Sequence, residues 1–302
     1  MGREVAVVTG GAQGIGRGIA LVLARRGCTV CILDRDADAL REAVATIERV
    51  GGGRVEGRRV DITKPEEVER TVGAIVEKHG EISLLVNNAG RQECIGASWE
   101  AEPSEWWEDV TVNLLGAFLC TRYVLPHMIR AGRGTVVCMA GGGYDGPNPG
   151  LGGYGSSKAG VMRFVDNLAV ELRTAGHAGL SVLGLWPGFV NTHMIDLLTT
   201  VPAGKQWLPH VTEGLAKGED HPPEVSPAAP LTKPGWRLTV FVPSAGCREG
   251  DRADPRAPAR RSRAAQRARR HVGRRLGGAR GRRGGSGGGG RRTDAAAAPA
   301  AG

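Results

Sequence analysis

The chain holds 302 residues with 40 Lys and Arg against 31 Asp and Glu, a formal charge of +9, and only 4% of its residues are aromatic. The excess charge sits at one end: residues 246–302 contain sixteen Arg, no Lys and four acids, leaving 24 basic against 27 acidic residues for residues 1–245. In that last stretch only Val272 and Leu276 are aliphatic or aromatic side chains larger than Ala, too little to offset the ~1–2 kcal/mol per residue that ordering a chain costs. The composition therefore predicts one domain over 1–245 and a disordered basic tail over 246–302.

In chain order, short apolar runs alternate with stretches of helical period. Val5–Val8 precedes Ile15–Arg26, Thr29–Leu33 precedes Ala37–Val50, Arg54–Val60 precedes Glu66–His79, and Ile82–Val86 precedes Ser104–Arg130. Thr135–Met139, Tyr154–Thr174 and Leu180–Trp186 continue the rhythm. Alternating β and α segments imply right-handed crossovers, hence an α/β fold with a doubly wound parallel sheet of the Rossmann type, helices covering both faces. Beyond Pro187 the rhythm weakens, and residues 190–245 read as a lid followed by an atypical C-terminal part. Pro222, Pro223, Pro227 and Pro230 interrupt any helix there, and Trp236–Val242 is the last strand candidate.

The stretch Thr9-Gly10-Gly11-Ala12-Gln13-Gly14-Ile15-Gly16 leaves the first strand and opens the first helix. Glycines there permit a tight turn and close approach of backbone to a pyrophosphate, which rests on the unpaired N–H groups and positive dipole end of the helix. This context predicts dinucleotide binding through Gly10, Gln13, Gly14, Ile15 and Gly16. Asp34 ends the second strand eighteen residues after Gly16, where its carboxylate would accept ribose hydroxyls and repel a 2′-phosphate, favouring NAD over NADP. The bland alternative is that Asp34 only caps the following helix.

Taken together with TGGAQGIG at 9–16, the sequence carries Asp61-Ile62 after the third strand, NNAG at 87–90 after the fourth, Asn113 in a long helix, Tyr154-Gly-Ser-Ser-Lys158, and Pro187-Gly188 with Thr192. In this order the motifs resemble the classical short-chain dehydrogenase/reductase family. The resemblance implies that Asp61 and Ile62 lie near the adenine, that Asn87, Ala89 and Gly90 lie beneath the cofactor, and that Pro187, Gly188, Val190 and Thr192 border the nicotinamide. It also implies a dimer or tetramer through the long helices.

The chemistry is legible in the spacing. Tyr154 and Lys158 are four apart, so on a helix they share a face, and an ammonium beside a phenol of pKa ~10 favours the phenolate. Tyr154 is then the acid/base for a secondary alcohol or ketone, the expected small-molecule substrate. By the resemblance, Lys158 also holds the nicotinamide ribose and Asn113 keeps a relay water.

Two departures stand out. The family places a Ser thirteen residues before the Tyr, but that position is Gly141, preceded by Ala140, and no Ser lies between Thr135 and Gly153. Loss of such a donor costs on the order of 10²–10³ in rate, unless a glycine N–H or a water substitutes. The second departure is the proline-rich stretch after Asp220, too short for the family's further helix.

Other signals carry blander readings. The six Cys fit reduced thiols, and Cys28 and Cys31, three apart on a strand, point to opposite faces. The seven His show no ligand spacing, so no metal is expected. Trp99, Trp106 and Trp107 read as core or helix packing. Neither a leader nor a span of ~20 apolar residues is evident, which points to the cytoplasm and no membrane partner. Three function readings follow: an NAD(H)-dependent oxidoreductase, a weak or inactive cofactor binder, and RNA binding through the Arg-rich tail. The tail itself reads as a solvated segment, an RNA-binding one, or the product of a shifted reading frame.

Overall fold

The computed structural model describes residues 4–51, 53–188, 190, 192–209 and 239–241. By their contacts these belong to one compact unit, Met1–Gly246. The Arg-rich tail, and with it the prediction of disorder over 246–302, lies outside the described residues.

Strands β1 (Val5–Thr9), β2 (Thr29–Asp34), β3 (Arg54–Arg59), β4 (Leu84–Asn87), β5 (Gly134–Met139) and β6 (Leu180–Trp186) pair in parallel, in the order β3-β2-β1-β4-β5-β6. Helices α1 (Gly14–Arg25), α2 (Ala37–Gly51) and α3 (Pro65–His79) connect the first strands. Helix α4 (Pro103–Val110) runs through a π turn (Thr111–Leu115) into α5 (Gly116–Ala131), and α6 (Gly152–Thr174) joins β5 to β6. Helices α7 (His193–Thr200) and α8 (Pro202–Trp207) follow β6. The fold is therefore the doubly wound Rossmann type that the βα rhythm predicts.

The strand runs are apolar throughout because both faces are covered. Val5, Ala6, Val7 and Val8 are all buried, and Val7 packs in the core beneath α3, α5 and α6 whereas Val8 packs beneath α1 and α2. Full burial of each such side chain is worth ~1.5–3 kcal/mol. Cys31 and Cys28 divide between the same two cores, as strand alternation requires.

Two features add detail to the sequence reading. The last strand, β7 (Thr239–Phe241), runs antiparallel to β6, pairing Trp186 with Thr239 and Gly184 with Phe241. An antiparallel edge strand needs no crossover helix, which suits a preceding stretch rich in proline. The helix expected over Ser104–Arg130 is present and continuous, with a π turn at its centre. In addition, Pro103–Ala131 is long and apolar enough, by length and composition alone, to cross a membrane, although 44% of its most apolar window is buried inside the fold.

Candidate active site

The strand order reverses between β1 and β4, and open α/β sheets bind ligands outside the carboxyl ends of strands at that switch point. There the glycine loop leaves β1. Gly10 takes φ 61° and donates its N–H to Leu33 O at 2.8 Å. A Cβ on Gly10 would lie 2.7 Å from Ala89 Cα, and one on Gly16 would lie 2.2 Å from Gly10 O, so the loop is folded tightly on itself and against the NNAG turn. Gln13, ahead of α1, makes no side-chain cap and no acid occupies the first turn. The helix end thus keeps its N–H groups available to an anion, and the cradle fits a pyrophosphate.

Asp34 sits at the edge of this loop, Oδ2 accepting the Ala12 N–H at 3.1 Å and Oδ1 the Asp36 N–H at 3.2 Å. Asp36, not Asp34, caps α2, accepting the N–H groups of Asp38 and Ala39 at 3.0 Å. That removes the bland reading of Asp34 as a cap for that helix.

A cleft open to solvent lies beside the loop. Ile15, Gly90, Tyr154, Lys158, Pro187, Gly188, Val190 and Thr192 all line it. A Cβ on Gly14 would lie 3.3 Å from Thr192 Cγ2, which brings the glycine loop close to the lid. Other residues singled out in the sequence lie elsewhere. Ile62 turns into the core, where its Cδ1 would be 2.5 Å from a Cβ on Gly116, and Asp61 accepts the N–H and hydroxyl of Thr63 at 2.9 and 2.7 Å. The Asn87 carboxamide is buried, donating to Thr121 Oγ1 at 2.9 Å, and its neighbour Asn88 lines the cleft instead.

Tyr154 and Lys158 are both buried on α6, with Lys158 Nζ 5.5 Å from the Tyr154 ring centre and donating to Met139 O at 3.1 Å. Burial pushes the Tyr154 phenol above its ordinary value, aided by the charge of Asp109, and lowers the Lys158 ammonium to about 8. In the protein alone both groups are enclosed, and desolvation disfavours the charged form of each. Gly141 stands directly against the phenol, since a Cβ there would be 2.2 Å from Tyr154 Oη.

Asn113 lies in the π turn behind these residues. Its Oδ1 accepts the Arg91 N–H at 2.8 Å, and its Nδ2 donates to Arg91 O at 2.8 Å and Ser157 Oγ at 2.9 Å. The extra residue of a π turn, a device frequent at functional sites, gives this carboxamide its aim. Arg91 is in turn held by Asp109 at 2.6 Å and by Glu105, anchoring the loop after NNAG to α4.

The cleft's outer wall comes from the loop ahead of Tyr154 and from the lid that the sequence anticipates beyond Pro187. Leu151, Tyr154, Leu198 and Leu208 form an apolar cluster with Met194 and Ile195, and Trp99 packs edge-on against Trp207 at 6.1 Å. Trp99 is 79% and Trp107 is 62% exposed, so of the two packing readings theirs is packing on neighbouring rings, with Trp107 stacked on Trp106 at 6.1 Å. The fold also gathers Cys31, Glu56 and His79 within 4.8 Å, a grouping that local spacing cannot show. Glu56 is already paired there with Lys78 at 2.6 Å and Arg58 at 3.2 Å, and burial raises the Cys31 thiol to about 11.

Residues 4–200 match the family model described as short chain dehydrogenase. The chain is 37% identical over 213 residues to the (2S)-[(R)-hydroxy(phenyl)methyl]succinyl-CoA dehydrogenase subunit BbsD of Thauera aromatica, covering 67% of this chain and 83% of that protein. It is 30% identical to a 3-oxoacyl-[acyl-carrier-protein] reductase of Synechocystis, covering 66% and 79%. Among solved structures, NAD+-bound xylitol dehydrogenase superposes with a TM-score of 0.66 at 26% identity, covering 73% of this chain and 88% of that one. An actinorhodin polyketide ketoreductase variant with NADPH gives 0.66 at 31%, covering 74% and 88%. The chain belongs to the short-chain dehydrogenase family, a family of nucleotide-binding oxidoreductases.

Proposed function

We propose that the protein interconverts a secondary alcohol and a ketone with NAD(H), Tyr154 acting as general acid and base. The observation that carries this reading is the pairing of Tyr154 and Lys158 on one face of α6 at the floor of a cleft beside the glycine loop. When bound, the nicotinamide supplies the hydride chemistry. Gly10, Gln13, Gly14, Ile15 and Gly16 hold the pyrophosphate on the open end of α1, with Ala89 and Gly90 beneath. Asp34, placed at that loop, accepts ribose hydroxyls and repels a 2′-phosphate. Pro187, Gly188, Val190 and Thr192 enclose the far end of the cleft.

At the reacting centre, Tyr154 Oη gives a proton to the substrate oxygen in reduction and takes it in oxidation. Its raised pKa in the protein alone suits the acid role; the base role requires added positive charge in the cleft to stabilise phenolate. Lys158 supplies part of that charge, and Asn113, held by Arg91 and Ser157, orients the backbone and water behind it. A homo-oligomer, dimer or tetramer, small-molecule substrates and a cytoplasmic setting complete the reading. Domain limits of 1–245 and 246–302 belong to the same proposal.

A second reading, a cofactor binder with little or no turnover, is favoured by one feature: the family's Ser is Gly141, and Tyr154 occupies the room its side chain would need. Fluorescence titration with NADH and with NADPH, followed by a carbonyl screen, separates the two. Saturable binding that favours NADH, with turnover that falls about 10²-fold or more in Tyr154→Phe at unchanged cofactor affinity, is expected. Unchanged turnover in that variant would refute the acid/base role, and binding without turnover would establish the second reading.

A further inference from the structure

The walls of the cleft restrict what can carry the reacting oxygen. Among the described residues lining it, Lys158 is the one side chain able to bear positive charge and none bears negative charge. Its Nζ is committed to Met139 O at 3.1 Å. Arg91, next to the lining residue Gln92, is turned away into its pairing with Asp109 and Glu105. An anion entering this space would therefore lose its hydration against Lys158 alone, one of whose three donors is held by Met139 O.

Around Tyr154 the lining is largely apolar, with Leu151, Trp186, Met194, Ile195, Leu198 and Leu208. Two carboxamides of the lining are already engaged. Asn88 Nδ2 donates to Thr9 O at 3.0 Å and Gly10 O at 3.1 Å, and Gln92 Nε2 reaches Met194 O at 3.5 Å. Asn148 differs. Its carboxamide has no hydrogen-bond partner among the described residues, and its Nδ2 lies 2.9 Å from where a Cβ on Gly142 would stand. The adjoining Gly141 is the residue against which Tyr154 Oη packs.

Resting on the oxidoreductase reading above, we propose that the cleft selects an uncharged, predominantly apolar ketone or secondary alcohol, whose oxygen is met by Tyr154 Oη and the Asn148 carboxamide. Carboxylates and polyols are disfavoured because the wall of Leu151, Met194, Ile195, Leu198 and Leu208 offers their charge or further hydroxyls no partner. Asn148 thereby supplies the donor that Gly141 lacks.

The test compares propiophenone with benzoylacetate, which share an aryl ketone and differ by a carboxylate, and with D-xylulose. Reduction is followed with NADH and NADPH, and binding is followed by tryptophan fluorescence, because Trp186 lines the cleft. Propiophenone is expected to exceed both others on the order of 100-fold or more in kcat/KM or in affinity. Equal or better use of benzoylacetate or xylulose would overturn the proposal, as would failure of propiophenone to bind. Because the same titration on protein without cofactor reads the cleft's own preference, loss of cofactor binding, which would refute the parent reading, is seen separately.

Two variants probe cause. Met194→Arg places a cation on the wall and is expected to narrow the preference for propiophenone about tenfold or more. Asn148→Ala is expected to lower kcat/KM for propiophenone about tenfold with cofactor affinity unchanged. An unaltered preference in the first would refute the charge argument, and unaltered kinetics in the second would remove Asn148 from the site.

Discussion

Gly141 and Tyr154 show how one missing side chain rearranges a site. A Cβ on Gly141 would stand 2.2 Å from Tyr154 Oη and 2.9 Å from its Cζ, with Lys158 Cγ at 3.1 Å on the other side. The phenol is buried, so it cannot swing into solvent to make room. Gly141→Ser is therefore expected to lower stability by about 1–3 kcal/mol, as overpacking does, and to reduce turnover by moving the phenol instead of restoring it. Urea unfolding and a turnover assay of the variant beside the parent protein check this; a gain in turnover would show that the phenol and a hydroxyl fit together. The Tyr-x-x-x-Lys spacing was legible in the sequence because a helix repeats every 3.6 residues. The contact between residues 141 and 154 was not, since it depends on how the loop between β5 and α6 folds back.

At the scale of elements, α4, the π turn and α5 form a continuous rod that serves two ends. Its inner side carries Asp109, fully buried with Arg91, and Asn113, so the loop after NNAG is pinned by charge and by carboxamide together. A buried pair of this kind is weak evidence for net stability but strongly resists removal of either partner. The outer side carries Leu115 and Phe118, 41% and 42% exposed, three residues apart on one side of the helix. Phe118 meets Phe164 of α6 edge-on at 6.0 Å. Exposed apolar groups on these two helices support the proposed contact with a second copy of the chain. Phe118→Glu is expected to shift sedimentation equilibrium toward monomer by at least tenfold in dissociation constant; a parent protein that is monomeric throughout would refute the contact.

For the whole molecule, the enclosed Tyr154 and Lys158 make stability depend on pH. Lys158 titrates near 8 in the folded protein against an ordinary 10.5. Between those values the unfolded chain binds more protons, so this group's contribution to stability is present above 10.5 and is lost as pH falls through 8. Tyr154 is shifted the other way, so its contribution is present below about pH 10 and is lost as pH rises through its raised folded value. The difference in urea stability between the parent protein and Lys158→Met is expected to change by on the order of 3 kcal/mol from pH 8 to pH 10.5. A difference that stays flat across that window would show that Lys158 is solvated in the folded state.

The sequence by itself determined the alternation of apolar strands with helices, the glycine loop at the first βα junction, Asp34 beyond it, and Tyr154 with Lys158 on one helical face. All of these are local: they follow from periodicity, from glycine's freedom at Gly10, and from residues a few positions apart. What only the tertiary structure decided lies between elements distant in the chain. It brought Asn113 to Arg91, laid Tyr154 on Gly141, gathered the apolar wall from α7 and its neighbours, placed Cys31, Glu56 and His79 together, and set β7 antiparallel. The physical reason is that such contacts depend on packing geometry and loop closure across tens of residues, which no residue's own propensity records.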